Sequence, residues 1–159
     1  RSSDLPRKIT STLANIRHGH ADCLYLGNMD SKRDWGFAGD YAEGIWQMMQ
    51  LDCGDDFVLG TGDVHTVRDL VSLAADYCGF NLIWEGEKED EVGIERRTGQ
   101  TIIRVNPDFY RPAEVSYLCA DAEKAHKTFG WQANTSFEKL VEMMTARDLE
   151  RAISGPIIH

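Results

Sequence analysis

Three short stretches of the 159-residue chain carry side chains whose types and spacing could do chemistry. In G-N-M-D-S-K-R-D-W-G (Gly27 to Gly36), Lys32 and Arg33 stand beside Asp34 and Trp35, a set suited to holding an anionic group against an aromatic wall. In N-P-D-F-Y-R-P-A-E (Asn106 to Glu114), Pro112 restrains Arg111 to an extended backbone and Glu114 follows three residues on. A fixed guanidinium clasps phosphate oxygens, and a carboxylate accepts from a ribose diol. Taken singly, each also reads as a surface ion pair. The third stretch is the turn G-T-G (Gly60 to Gly62), set between an apolar run and a helix pattern, with Glu85 at roughly the acidic spacing of a dinucleotide fold. His65 occupies the place of the third glycine in G-x-G-x-x-G, so a plain βαβ connection is the expectation there. His18 and His20 are two apart and cannot share a helical face as i, i+4 metal ligands do; they read as cations at a helix C-terminus. His65 and His126 have no evident acid or nucleophile neighbour, and no Ser/His/Asp or Cys/His order stands out.

The elements that must position these residues follow from periodicity. Ile9, Leu13 and Ile16 recur at helical spacing after Pro6, and Gly19 closes that segment. Strands are expected at Cys23 to Leu26, Phe57 to Leu59, Asn81 to Trp84 and Thr101 to Val105. A second helix is expected from Ala38 to Leu51, with Tyr41, Ile45, Met48 and Met49 on one face. A third carries Val67, Leu70, Val71, Ala74 and Cys78, opened by Thr66 and Asp69 as a capping box. A fourth runs from Asp121 to Gly130. The last carries Phe137, Leu140, Val141 and Met144, opened by Thr135 with Glu138 and stopped by Gly155-Pro156. M-D-S-K-R-D-W-G reads as a loop, and E-G-E-K-E-D-E (Glu85 to Glu91) as a solvated one, because like charges at that density resist burial. The pattern is α/β, with mixed short strands and about five helices, and no linker or repeat divides it.

Lysine and arginine number 17 against 26 acidic residues, a balance of −9 that offers no overall attraction to nucleic acid or an anionic membrane. With 42% hydrophobic and 27% charged residues the composition is globular, and no apolar run reaches the ~18 residues needed to span a bilayer. Cys23, Cys53, Cys78 and Cys119 are far apart and form no C-x-x-C, so no metal site is expected; they suit buried, reduced thiols in a cytoplasmic protein. No apolar stretch follows the basic N-terminus, so a secretory signal is not expected. The first helix pattern begins almost at once and without a Met, as if the polypeptide were entered partway.

R-K-I-T (Arg7 to Thr10), L-G-N (Leu26 to Asn28), K-R-D-W-G-F-A-G-D-Y (Lys32 to Tyr41), T-G-D-V-H-T-V-R-D (Thr61 to Asp69), W-E-G (Trp84 to Gly86) and Y-R-P-A-E-V (Tyr110 to Val115) occur in the order found in one enzyme family. Over most of its length the chain resembles the GDP-mannose 4,6-dehydratases, a family of the extended short-chain dehydrogenase/reductases. An R-D-aromatic and an R-P pair alone would be shared with many nucleotide-sugar epimerases and dehydratases; the two longest runs are closer to the GDP-mannose enzymes. The resemblance implies that the chain is the C-terminal, substrate-binding portion. By it, GDP-mannose is held mainly by Lys8, Arg33, Arg111 and Glu114, with Asn28 and Trp35 contributing from the same loops. It implies NADP as cofactor, bound by an N-terminal Rossmann portion. That portion's G-x-x-G-x-x-G, catalytic Thr/Ser and Glu, and Tyr-x-x-x-Lys have no recognisable counterpart here. No catalytic residue is therefore expected in this chain, and inactivity is expected of it alone. The implied enzyme is a lyase, a cytoplasmic homo-oligomer that turns GDP-mannose into GDP-4-dehydro-6-deoxy-D-mannose, the GDP-fucose precursor, by internal hydride transfer and loss of water. The rivals are another nucleotide-sugar epimerase or dehydratase, and a non-catalytic nucleotide-sugar binding module.

Overall fold

The computed structural model describes residues 4–109 and 117–158. Helix α1 (Leu5–Arg17) starts with Pro6 in its first turn and turns Ile9, Leu13 and Ile16 inward. Gly19, at φ +74°, then reverses the chain. Strand β1 (Leu24–Leu26) follows, with Leu24 and Leu26 buried and Tyr25 exposed between them.

The expected loop after β1 contains a short strand, β2 (Lys32–Arg33). Helix α2 (Ala38–Met48) lies where its periodicity put it, but its expected face is kept only in part: Tyr41, against Trp131, and Met48 are half-buried, whereas Ile45 and Met49 are exposed. Its buried positions are Asp40 and Gly44, while Ile45, Trp46 and Met49 are exposed. Asp40 earns its burial by accepting from the backbone N–H groups of Asn134 and Thr135 through Oδ2, while its own carbonyl accepts from Trp131 Nε1. The F-V-L run expected as a strand belongs to no strand, because a ladder needs a neighbour and none lies alongside it among the described residues.

Strand β3 (His65–Thr66) leads into α3 (Val67–Tyr77), whose expected capping box is formed: Thr66 Oγ1 accepts from Asp69 N at 3.0 Å and Asp69 Oδ2 accepts from Thr66 N at 2.8 Å. Strands β4 (Leu82–Glu85), β5 (Val92–Glu95) and β6 (Thr101–Val105) complete one sheet in the order β1-β6-β5-β4. The β1–β6 pair is parallel and the others antiparallel. The acidic stretch before β5 is not wholly solvated: Glu91 is buried because the Arg68 guanidinium grips its two oxygens at 2.7 and 2.8 Å. Strand β7 (Tyr117–Leu118) joins β2 and β3 in a second, three-stranded sheet.

Helix α4 (Glu123–Phe129) ends at left-handed Gly130, as the sequence led one to expect. Helix α5 (Phe137–Ile153) is capped by Ser136, which accepts from Lys139 N, rather than by Thr135, whose own N–H is spent on Asp40. The core lies among α1, α3, α5 and the four-stranded sheet, with Leu13, Leu24, Leu26, Leu70, Ile103 and Val141 nearly inaccessible. Across it, Thr10 Oγ1 donates to the buried Asp148 carboxylate at 2.8 Å, pinning α1 to α5. The four cysteines are free; burial pushes the Cys78 thiol up to about 12, whereas Cys53 is exposed, against the expectation of uniformly buried thiols. Among the described residues no helix is long and apolar enough to cross a membrane.

Candidate nucleotide-sugar site

Ligands collect at the carboxyl ends of parallel strands, and β1 and β6 end together, with Leu26 paired to Val105. Immediately beyond, Asn106 N donates to Leu26 O at 2.7 Å and the chain tightens into a 3₁₀ turn, Pro107–Phe109. Gly27 presses on this turn: a Cβ there would stand 2.4 Å from the Phe109 carbonyl oxygen, so only glycine allows the approach. Lys8 reaches the same place from the first turns of α1. It donates to Tyr25 O at 2.7 Å, and its ammonium lies 4.5 Å from the Phe109 ring centroid. Burial lowers its pKa from the ordinary lysine value. A partly desolvated cation of this kind gains most from an anion, which restores the solvation that burial removed.

Asn28 starts the loop that leaves β1. Its Oδ1 accepts from Asp30 N at 2.9 Å, forming a tight turn that sets Met29 into the core. The loop is then fastened to the start of α3, because Met29 O and Ser31 O accept from Arg68 N and Val67 N. This delivers β2, in which Lys32 pairs with Thr66 and Tyr117, and Arg33 with His65 and Leu118. Arg33 Nη1 donates to the Lys32 carbonyl at 2.8 Å. Trp35 stacks on Phe137 at 6.0 Å, and Phe137 stacks face to face on His65 at 3.8 Å. These rings, with Thr61, Asp63 and Asn134, line a cavity of about 260 Å³.

Lys8 and Asn28 thus meet at one strand end, and Arg33 and Trp35 follow on the loop that leaves it. Arg111 and Glu114 lie outside the described residues. The described residues that flank them are placed at the two halves of the site, Phe109 under Lys8 and Tyr117 beside Lys32. Two features escaped the sequence reading. His65 does have an acid, with Nε2 and Asp63 Oδ2 3.0 Å apart, and the i, i+2 spacing was the available signal. The other is Asp34. Its Oδ1 accepts from Thr61 N (3.0 Å) and Thr61 Oγ1 (2.6 Å), and its Oδ2 from Gly62 N (2.9 Å) and Ala120 N (3.3 Å). One carboxylate therefore joins the loop after β2, the G-T-G turn and the segment after β7.

That arrangement also decides whether a nicotinamide dinucleotide fits the G-T-G turn. A dinucleotide fold leaves such backbone N–H groups free for the diphosphate at a helix N-terminus. Here Thr61 N and Gly62 N already donate to Asp34, whose charge would repel phosphate, and α3 begins only at Val67. NADP does not fit at this turn. The histidine pair is structural in placement: His18 and His20 stack at 6.4 Å, and His20 Nε2 lies 3.0 Å from Ala152 O. Among the described residues no group of three or more His, Cys, Asp or Glu side chains could hold a metal ion.

Comparison with known proteins gives a consistent result. The family model described as GDP-mannose 4,6 dehydratase matches residues 1–144. Curated GDP-mannose 4,6 dehydratases from Drosophila melanogaster and Homo sapiens are 42% and 41% identical, covering 95% and 94% of this chain. The chain spans about two fifths of their length, 38% and 40%. Among solved structures, RMD from Pseudomonas aeruginosa complexed with NADPH superposes with a TM-score of 0.73 at 17% identity, over 95% of this chain and 44% of that one. UDP-glucose 4-epimerase from Bifidobacterium longum, in complex with NAD+ and UDP, gives 0.64 at 17% identity, over 94% and 41%.

Proposed function

The chain belongs to the GDP-mannose 4,6-dehydratase family, and from that premise we propose that it forms the substrate-holding portion of an enzyme converting GDP-mannose to GDP-4-dehydro-6-deoxy-D-mannose. The observation that carries the reading is the family match over residues 1–144, which contains every proposed binding residue. The geometry agrees with it. Lys8 and Asn28 stand at the joint end of β1 and β6, and Arg33 lies on the strand reached from there by a loop pinned to α3. The two cations suit a diphosphate, and Trp35 supplies an apolar wall beside Arg33. Arg111 is assigned to the same phosphates and Glu114 to the ribose diol of guanosine. A chain of net charge −9 repels such a ligand at long range. Binding must then come from cations fixed within a few ångströms, inside the Debye length of about 8 Å at physiological salt.

The role of this chain is to bind and orient. A bound nucleotide with both phosphates clamped presents its sugar in one pose, which supports catalysis by restricting the reacting groups' freedom. We assign NADP and the catalytic residues to family polypeptide that this chain does not match, and the complete lyase to a homo-oligomer. No step of hydride or proton transfer is assigned to residues described here, and this chain alone is proposed to be inactive.

Calorimetric titration tests the reading. GDP-mannose should bind and UDP-glucose should not compete at equal concentration. Lys8→Ala and Arg33→Ala should each weaken binding by about 1.5–3 kcal/mol, the scale of a charged hydrogen bond, or roughly 10- to 150-fold. Equal affinity for both nucleotide sugars, or no loss in either variant, rejects it.

A further inference from the structure

Residues 27–31 leave the end of β1 with Asn28 and deliver Lys32 and Arg33, so the placing of Arg33 relative to Lys8 depends on how this loop is held. Strand β2, two residues long, is too short to hold it alone. On the inner side, buried Met29 and the bonds from Val67 N and Arg68 N fix the loop to α3. On the outer side a single side chain does so. Arg68 Nη1 donates to Asp30 Oδ1 at 2.6 Å, while its Nε and Nη2 donate to the two oxygens of Glu91 at 2.7 and 2.8 Å. The same guanidinium lies 5.9 Å from the Trp84 ring centroid. The two ends of this bridge differ in kind, since the Glu91 side chain is 6% exposed and that of Asp30 66%. An exposed ion pair ordinarily contributes little, because both side chains must be ordered to form it. Here Glu91 has already ordered the guanidinium, and only Asp30 is left to immobilise. Asp30 N is bound to Asn28 Oδ1 at the same time, so holding the carboxylate holds the turn. Two carboxylates against one guanidinium make a net negative cluster, which does not attract a phosphate.

We propose that Arg68 is a positioning residue for the nucleotide-sugar site: anchored on buried Glu91, it holds Asp30 and thereby keeps Asn28 and Arg33 placed for the ligand. This role rests on the proposed function and adds to it the part that sets the loop before the ligand arrives. A loop ordered beforehand spares the ligand the entropy of ordering it. The direction of one effect separates this role from that of a surface ion pair. Asp30 is an acid on a loop that flanks a site for a diphosphate. As a mere surface charge, its removal would leave binding unchanged or strengthen it. As the held end of the bridge, its removal weakens binding.

Calorimetric titration with GDP-mannose should show Asp30→Ala binding about 3- to 10-fold more weakly than the wild-type chain, while its Tm stays within about 2 °C. Asp30→Glu, which keeps the carboxylate, should recover most of the affinity. Asp108→Ala removes another exposed acid, at the turn beyond β6, and should leave affinity within about twofold or raise it. In an Arg68→Met/Glu91→Gln background, Asp30→Ala should weaken binding no further, because the bridge is already gone. Should that background fail to fold by circular dichroism, Asp30→Ala and Asp30→Glu decide alone. Hydrogen exchange of the ligand-free chain adds a readout that needs no ligand: the amides of residues 29–32 should exchange several-fold faster in Asp30→Ala. Unchanged or tighter binding by Asp30→Ala, unchanged exchange, an equal loss in Asp108→Ala, or an undiminished loss in the Arg68→Met/Glu91→Gln background would each overturn the proposal. A wild-type chain that fails to bind GDP-mannose would instead reject the functional reading, and the positioning role with it.

Discussion

Asp34→Ala removes the acceptor of four hydrogen bonds at a single position, so its cost can be worked from the structure. Thr61 N, Gly62 N and Ala120 N lose their partner, while Thr61 Oγ1 still donates to the Asp63 carbonyl and accepts from Asp63 N. A hydrogen bond to a charged group contributes about 1.5–3 kcal/mol when well formed. The 3.3 Å bond to Ala120 counts for little, and Gly62 is exposed enough for water to replace the carboxylate. The partly buried Thr61 pair dominates, giving an expected loss of about 2–4 kcal/mol. For a domain of this size that corresponds to a fall in Tm of roughly 5–12 °C. Asp34→Asn should lie between, because one oxygen can still serve Thr61 while the amide nitrogen faces the N–H groups of Gly62 and Ala120. Thermal and urea denaturation followed by circular dichroism measure both variants. A loss below about 0.5 kcal/mol for the alanine variant would refute the assignment of Asp34 as the joint of three segments.

Two other perturbations probe charges whose burial the sequence concealed. Arg68→Ala strands Glu91 in the core without its bidentate partner, and after allowance for the partial exposure of the arginine it should cost about 2 kcal/mol in urea unfolding, with Glu91→Gln recovering part of the loss in the double variant. At Glu95, burial works to raise the carboxyl, but hydrogen bonds from the Arg97 side chain, Arg97 N and Asn81 N more than offset it and hold the pKa below the ordinary value of 4.5. A carboxylate lowered on folding stabilises above its unfolded pKa, and that stability is lost as pH falls through the lower folded value. Wild-type stability should therefore decline from about pH 4.5 downward more steeply than that of Glu95→Gln, as measured by urea midpoints across the range.

The helices were legible because their signals are local. Pro6 with Ile9, Leu13 and Ile16, or Thr66 with Asp69, state a start and a face within one or two turns. Strand β6 was legible as T-I-I-R-V, a β-branched run stopped by Pro107. What escaped depended on partners distant in sequence. Asp40 is an exposed-looking helix residue until Asn134 and Thr135 donate to it, and its burial shifts the inward face of α2 away from Ile45 and Met49. Glu91 reads as solvated acid until Arg68 meets it, and the two-residue strand β2 exists only because β3 and β7 flank it. Within the candidate site, Arg33 and Trp35 stood out by residue type and spacing and Lys8 and Asn28 only by resemblance, whereas Asp34 gave no sign of its four donors, since they come from segments some 27 and 86 residues away.

In the proposed complex a nucleotide sugar lies across the end of β1 and β6, between Lys8 and Arg33. A crystal structure of this chain grown with GDP-mannose tests it most directly. Diphosphate oxygens are expected within about 4 Å of both the Lys8 ammonium and the Arg33 guanidinium, a distance at which a partly buried ion pair is strong. Density for the nucleotide at the G-T-G turn, or anywhere that leaves both cations untouched, would contradict it.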